Sequence, residues 1–393
     1  MRGIDIIRRQ AGNLATLGVT LLIFYFAIGS LFLRFGPGFL PSLPNLFPIA
    51  ATIWWQSSAP DPAHHDYVAL LGDSYAEGAG DWLAARTRIA EPYGSADIIH
   101  QRTGLDILSF GVGGAGSAEG FVLYPTWALN ANYCLIFPAP RRPAAAIYYF
   151  YEGNDLNDNI QFIRSKLHLT PEAAGIGEAS TRYFDDSMGK MKLSTCMKYF
   201  KDVIKNMIHV ATVSLLHQSQ PGWQGTGTAR AMVGGAVVSI PGGLQAPSLE
   251  LDNRSTDAAF EVFEAAVAWF VDKYPDIKIT VVDVPSVLTT YRLVDPTVVT
   301  ETFQHGNPVQ PSGQIAPRSD MICERLRAIT LRHGQKFLDA RPAMKEAAGH
   351  ELIHGPLNWG HFNQIGYTRL GETVAAALKG DSTFASCAHL AAE

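Results

Sequence analysis

The chain has 393 residues, 47% of them apolar, which is enough for one large or two ordinary domains with a real core. Its formal net charge of −5 argues against a nucleic-acid partner, because no basic stripe is present to neutralise phosphates. Charged residues make up only 17%, low for a soluble cytosolic enzyme.

Ala11 to Leu33 carries no charge, and Leu14 to Leu33 is strongly apolar. A helix of that length crosses about 30 Å of hydrocarbon, so residues 11–33 are expected to anchor the chain in a membrane. Arg2, Arg8 and Arg9 precede the run and only Arg34 follows closely, which places the N-terminus in the cytoplasm and the rest outside. A cleaved signal peptide is the rival, but its apolar region is shorter and ends at a small-residue site. Phe39 to Trp55 is apolar again, yet Pro41, Pro44 and Pro48 forbid a regular spanning helix there. The expected organisation is a stub and anchor over 1–35, a Pro-rich linker or interfacial segment over 36–66, a globular domain over 67–380 and a tail over 381–393.

From residue 67 the pattern alternates. Tyr67 to Leu71, Leu105 to Phe110 and Ala144 to Tyr151 are short apolar runs that read as buried strands. A helix is expected around Trp82 to Ile89, after the first of them. Ser255 to Tyr274 repeats Phe260, Phe263, Val267 and Phe270 at helical spacing, with Ser255 as its expected cap. Ile277 to Val284 reads as a fourth strand. A helix around Asp320 to Arg332, a short fifth strand Lys336 to Leu338 and a helix from Gln364 to Leu378 complete the series. Strands alternating with helices predict an α/β fold, a parallel sheet covered on both faces. Leu156 to Leu251 does not fit the alternation, and so long an insertion points to a cap or substrate-contacting region. Cys134, Cys196, Cys323 and Cys387 show no C-x-x-C pair and hence no zinc signature; two disulfides or buried thiols both remain open.

The ends of the first three strands carry Gly72-Asp73-Ser74, the cluster Gly111-Val-Gly-Gly-Ala-Gly116 and Gly153-Asn154-Asp155, and His361 lies near the C-terminus in Trp359-Gly-His-Phe-Asn363. Gly-Asp-Ser alone is as readily an ordinary helix-capping turn. Together the four positions supply a hydroxyl nucleophile, a base, a glycine N–H and an amide, the set that acyl transfer needs for attack and for the oxyanion. In a parallel sheet they converge on one edge.

This order and spacing resemble the SGNH, or GDSL-type, hydrolase superfamily over about residues 67–378, minus the insertion. The resemblance implies a three-layer α/β/α sandwich around a five-stranded parallel sheet, with no metal and no cofactor. It implies Ser74 as nucleophile, His361 as general base, and an oxyanion hole of the Ser74 and Gly114 N–H groups with the Asn154 amide. Combined with the tether and outside location expected from residues 11–33, it implies an esterase acting on O-acyl groups of cell-envelope or exported polysaccharides. An O-acetyltransferase on the same glycans, a lipid or thioester hydrolase and a non-catalytic glycan-binding relative are the alternatives. The family's aspartate before the histidine is absent: Asn358 and Trp359 stand there. A Ser-His dyad with a backbone carbonyl on the imidazole, another acid such as Glu351 or Asp339, or an inactive relative would each accommodate that departure.

Other motifs compete. His350-Glu-Leu-Ile-His354 matches H-E-x-x-H, which binds zinc only if both histidines share one helix face, and Gly355-Pro356 ends any helix at once. Gly111 to Gly116 also matches G-x-G-x-x-G, but the acid a dinucleotide site wants about 20 residues on is missing. Glu152, Asp155 and Asp158 look like a cation cluster; the plainer expectation is that Asp155 caps the following segment or braces the Asn154 loop.

Overall fold

The computed structural model describes residues 66–81, 94–130, 141–188, 227–302 and 306–392, together with Ser58, Thr16, Leu17, Val19 and Thr20. Apart from Thr16, Leu17, Val19 and Thr20, the expected anchor falls outside the described residues, as do the Phe39–Trp55 stretch, the Trp82–Ile89 helix, Cys134 and Cys196. No described helix is long and apolar enough to cross a membrane.

Among the described residues five strands form the parallel sheet: β1 (Val68–Leu71), β2 (Ile107–Ser109), β3 (Ala145–Tyr151), β4 (Lys278–Val284) and β5 (Lys336–Asp339), in the spatial order β5-β4-β3-β1-β2. Each strand lies within the apolar run that predicts it or within a residue of it. The reason is burial on both faces, which leaves little room for polar side chains. Tyr67, Ala69 and Leu71 point to one face with Tyr148 and Phe150, while Val68 and Leu70 point to the other with Ile147 and Tyr149. Helices Asp155–Ser165, Ile176–Met188, Asn253–Lys273 and Ile315–Arg332 cover the first face through Ile160, Phe184, Phe263 and Leu326. Helices Ser95–Thr103, Arg341–His350 and Gln364–Leu378 cover the second through Ile99, Met344 and Leu370. The result is the three-layer α/β/α sandwich.

Two expectations are corrected here. The long helix is capped by Asp252, whose carboxylate accepts the Ser255 N–H at 2.7 Å, and not by Ser255. A carboxylate at that place also complements the positive end of the helix. The Leu156–Leu251 stretch is not an appendage at its start: Leu156, Ile160 and Ile163 recur at helical spacing and are fully buried on the sheet. Farther on, Thr228–Val233 and Ala236–Pro241 pair antiparallel, and Leu244–Gln245 pairs with Thr297–Glu301. Leu244–Leu251 then lies over the end of β3, where Ser248 donates to the Glu152 carbonyl at 3.3 Å and Asn157 donates to Glu250 at 2.7 Å.

Cys323 and Cys387 form a disulfide. It ties the C-terminal residues to the Ile315–Arg332 helix, and the β5 N–H of Asp339 donates to the Phe384 carbonyl at 2.7 Å, covering that edge of the sheet.

The sheet order sets the location of the site. β1 lies between β2 and β3, so the β1–β2 connection moves to one side of β1 and the β2–β3 connection returns to the other. Crevices that hold ligands in open α/β sheets open at such a switch, outside the carboxyl ends of the strands. Leu71 pairs with Tyr148, so Gly72, Asp73 and Ser74 run beside the last residues of β3.

Candidate active site

Ser74 opens a four-residue helix, Ser74–Glu77, immediately after β1. Gly72 makes the turn possible: its φ is +138°, and a Cβ there would stand 2.8 Å from the Tyr149 carbonyl oxygen. Asp73 caps the helix by accepting the Tyr75 N–H at 2.9 Å. The Ser74 N–H is among the first N–H groups of that helix, which have no intrahelical partner.

His361 meets the serine directly, with Nε2 2.8 Å from Ser74 Oγ. The competing acceptor, Asp73 Oδ2, is 3.4 Å away, so the histidine is the better partner for the hydroxyl proton. Asn363 and Tyr75 hold the histidine loop in place. Asn363 caps the following helix through the N–H groups of Ile365 and Gly366 and donates to the Leu352 carbonyl at 2.9 Å. Tyr75 donates to the Gly360 carbonyl at 2.9 Å, and its ring lies 5.3 Å from the His361 ring and 5.0 Å from Phe362. Tyr151 stacks beneath Tyr75 at 4.0 Å and donates to Gln245 at 2.6 Å, which links the insertion to the nucleophile. Burial is the cause that lowers the His361 pKa from 6.5 to about 4. The imidazole is therefore neutral near pH 7 and available as a base.

The glycine loop after β2 closes against the nucleophile helix. A Cβ on Gly111 would lie 2.2 Å from the Glu77 nitrogen, so only glycine fits that approach. Gly113 donates its N–H to Glu77 Oε2 at 3.0 Å, and a Cβ on Gly113 would be 3.8 Å from Ser74 Cβ. Gly114 follows, exposed, at φ +73°, with open space where a side chain would be. Burial pushes the Glu77 carboxyl up to about 7.

Asn154 begins the helix after β3, but its side chain caps nothing in that helix. Its Oδ1, in a residue only 6% exposed, has no hydrogen-bond partner among the described residues. Asp155 braces this loop, accepting from Tyr148 Oη at 2.9 Å and from the Tyr151 N–H at 3.2 Å. Desolvation raises the carboxyl pKa values of Asp73, Asp155 and Asp158. The structure thus joins Ser74 to His361, and it brings Asn154 and the Gly114 loop to the same strand ends.

Of the alternatives for supporting His361, neither Glu351 nor Asp339 is placed to do so. Glu351 is exposed at the end of the Arg341–His350 helix, and Asp339 is engaged by Arg341 at 2.8 and 2.9 Å. His361 Nδ1 faces Asn358 Oδ1 at 3.3 Å instead. That oxygen also accepts the Gly360 N–H at 3.0 Å, and the Asn358 N–H donates to Asp81 at 2.6 Å. A sequence pattern marks Asn358 only as the place where an acid is missing. Glu77, Asp81, Tyr75 and Tyr151 have no signal beyond lying near the nucleophile or at a strand end.

The rival motifs dissolve on geometry. His350 ends its helix, whereas His354 lies beyond it, buried, with Nδ1 3.1 Å from Tyr291 Oη; burial lowers its pKa to about 3. Glu152 turns away to the Ser286 N–H at 2.9 Å. Among the described residues the one group of potential metal ligands is Cys323, Asp339 and Cys387, whose sulfurs are bonded to each other.

No family model and no curated protein matches the sequence. Among solved structures, a carbohydrate esterase family 2 enzyme with a carbohydrate-binding domain from Corynascus thermopiles (Myceliophthora fergusii) is 12% identical. The match covers 81% of this chain and 67% of that one, with a TM-score of 0.35. A second crystal structure is also 12% identical, over 80% of this chain and 98% of its own, with a TM-score of 0.34. Likeness at this level leaves the functional reading to the site itself.

Proposed function

We propose that this protein is a serine esterase of the SGNH type that removes O-acyl groups, acetyl above all, from cell-envelope or exported polysaccharides. The observation that carries the esterase reading is the 2.8 Å contact between Ser74 Oγ and His361 Nε2 at the switch point of the sheet. Nucleophile and base within hydrogen-bond reach are what covalent acyl transfer requires. In the proposed mechanism Ser74 Oγ attacks the ester carbonyl while His361 Nε2 takes its proton. The oxyanion is held by the N–H groups of Ser74 and Gly114 and by the Asn154 amide. His361 then returns the proton to the departing alcohol, and water, activated by the same base, frees the acid and Ser74.

The glycan substrate and the membrane tether over 11–33 rest on the resemblance and on the apolar N-terminal run. The Cys323–Cys387 disulfide supports an oxidising, extracytoplasmic compartment, since such bonds are rare in reducing cytosol.

A screen of acetylated oligosaccharides, short-chain aryl esters and acyl thioesters, run on wild type and Ser74→Ala, tests the reading. Release of acetate from sugars by wild type alone supports it, whereas turnover of thioesters only would move the substrate class. Acetyl transfer to a sugar acceptor faster than to water would make the enzyme a transferase.

A further inference from the structure

We infer that the Asn358 side-chain oxygen, locked in direction by the Gly360 N–H, orients His361 in place of a carboxylate, and that Asp81 holds Asn358 there. The inference rests on the esterase reading for its kinetic consequences, but its geometry stands independently.

An asparagine amide can turn either end toward a neighbour, and the two ends do opposite things. The oxygen accepts; the nitrogen donates. In the serine-protease template an amide in place of the aspartate costs about 10⁴ in turnover because the histidine takes the wrong tautomer. Here a backbone donor decides the matter. Gly360 points its N–H at Asn358 Oδ1 from 3.0 Å. Reversing the amide would set an NH₂ group against that N–H and leave a donor unpaired in a half-buried loop. The oxygen therefore faces His361 Nδ1, at 3.3 Å. Since that oxygen can only accept, Nδ1 carries the proton and the lone pair of Nε2 is left for the Ser74 hydroxyl. The productive tautomer is thus reached with a neutral partner.

Asp81 fixes the backbone from which Asn358 projects. Its carboxylate takes the Asn358 N–H at 2.6 Å and also accepts the Leu357 N–H. The segment around it is wedged against the histidine loop: a Cβ on Gly80 would stand 2.5 Å from the Phe362 carbonyl oxygen, and Tyr367 donates its hydroxyl proton to the Ala79 carbonyl. Ser74 and Asp81 belong to one stretch of chain, so a single segment carries the nucleophile at one end and the clamp of the base loop at the other. Asn358 and Asp81 are positioning residues; neither needs to touch substrate.

The charge difference has a consequence. A carboxylate beside Nδ1 would stabilise the imidazolium that forms when Ser74 attacks, and an amide oxygen supplies only a dipole. Asn358→Asp should therefore move the acid limb of the rate profile to higher pH, by about one unit or more, and raise kcat. Asn358→Ala should lower kcat by about 10- to 100-fold with KM within about twofold, as expected for loss of orientation rather than of substrate contact. Asp81→Ala should cost about 10-fold alone and nothing further in an Asn358→Ala background, because the two act through one histidine.

The experiment combines two readouts on the full chain labelled with ¹⁵N-histidine. Long-range ¹H–¹⁵N spectra report which nitrogen of His361 is protonated, and the rate of fluorophosphonate reaction at Ser74 reports the competence of the base. The expected result is an Nδ1–H tautomer in wild type, a tautomer mixture in Asn358→Ala, and a coupled double-mutant cycle. An unchanged Nδ1–H signal and an unchanged rate in Asn358→Ala would overturn the inference, as would strictly additive Asp81 and Asn358 effects. If wild type itself fails to react with the phosphonate, the esterase reading falls while the tautomer spectrum still decides the role of Asn358. Asn358→Asp, nearly isosteric, keeps the test valid should the alanine variant unfold.

Discussion

Two polar clusters are buried at the same carboxyl edge of the sheet, and they are built on opposite terms. At the β4–β5 end, Arg341 is fully buried and its guanidinium bonds Asp339, Ser319 and the Ala388 carbonyl at 2.8–3.0 Å and Asp320 at 3.1 Å, with Asp283 3.3 Å away. That cluster has charge against charge, ties β4, β5, a helix and the C-terminal residues together, and leaves the guanidinium no donor for a ligand. At the β1–β3 end no cation faces Ser74 among the described contacts. Asn154 Oδ1 has no partner, Gly114 is open, and His361 leans on a neutral amide. In the Arg341 cluster a full counter-charge faces even Asp283, whose oxygens lack a hydrogen-bond partner, whereas the desolvated groups around Ser74 have only dipoles to face, and such groups are where reactivity is found.

The largest expected effect separates the two ends at once. His361→Ala should lower turnover of any ester the protein cleaves by about 10⁴- to 10⁶-fold, while leaving the urea midpoint nearly in place. Arg341→Ala should do the reverse. Removing one partner of a buried ion network costs about 3–5 kcal/mol because several carboxylates lose their counter-charge, so the loss should appear in denaturant unfolding. The rate profile of the fraction still folded should keep its pH dependence. If Arg341→Ala instead shifted that profile, the clusters would not be independent.

Asn154→Ala sharpens the contrast further. Loss of one oxyanion donor should cost about 10²- to 10³-fold in kcat. Stability should change little or rise, since the unpartnered buried Oδ1 is removed along with the amide; a large fall in both would place Asn154 with the structural cluster. The smallest effect concerns pH. His361 must be neutral to accept a proton, so activity is present above its pKa and lost as pH falls through it. With that pKa lowered to about 4, the acid limb of kcat/KM should lie well below 6.5. A limb at or above 6.5 would mean that a charge near the imidazole offsets its burial.

How far the sequence could be read follows the same division. The strands were visible because a strand buried on both faces is nearly all apolar, as in Val68–Leu71 and Ala146–Tyr151. The helix Gln364–Leu378 begins and ends where predicted, since Asn363 caps it. That Ser74, Gly114, Asn154 and His361 share one sheet edge was legible, because each follows a strand or precedes a capped helix and topology then determines where they meet. The Asp155–Ser165 helix was hidden inside a long insertion even though Leu156, Ile160 and Ile163 repeat at helical spacing. What supports His361 was not legible at all. Whether Asn358 presents its oxygen depends on a backbone N–H two residues away and on a carboxylate 277 residues distant in sequence, and no spacing encodes either. Glu351 and Asp339 looked plausible as acids for the same reason: sequence proximity says nothing about which way a side chain turns, and Asp339 is claimed by Arg341.

The central claim is that Ser74 is a nucleophile activated by His361. Incubating the full chain with a fluorophosphonate and locating the adduct by peptide mass spectrometry tests it most directly. A single adduct is expected on Ser74, absent in Ser74→Ala and slowed by orders of magnitude in His361→Ala. Labelling of Ser74→Ala to the same extent as wild type would contradict it.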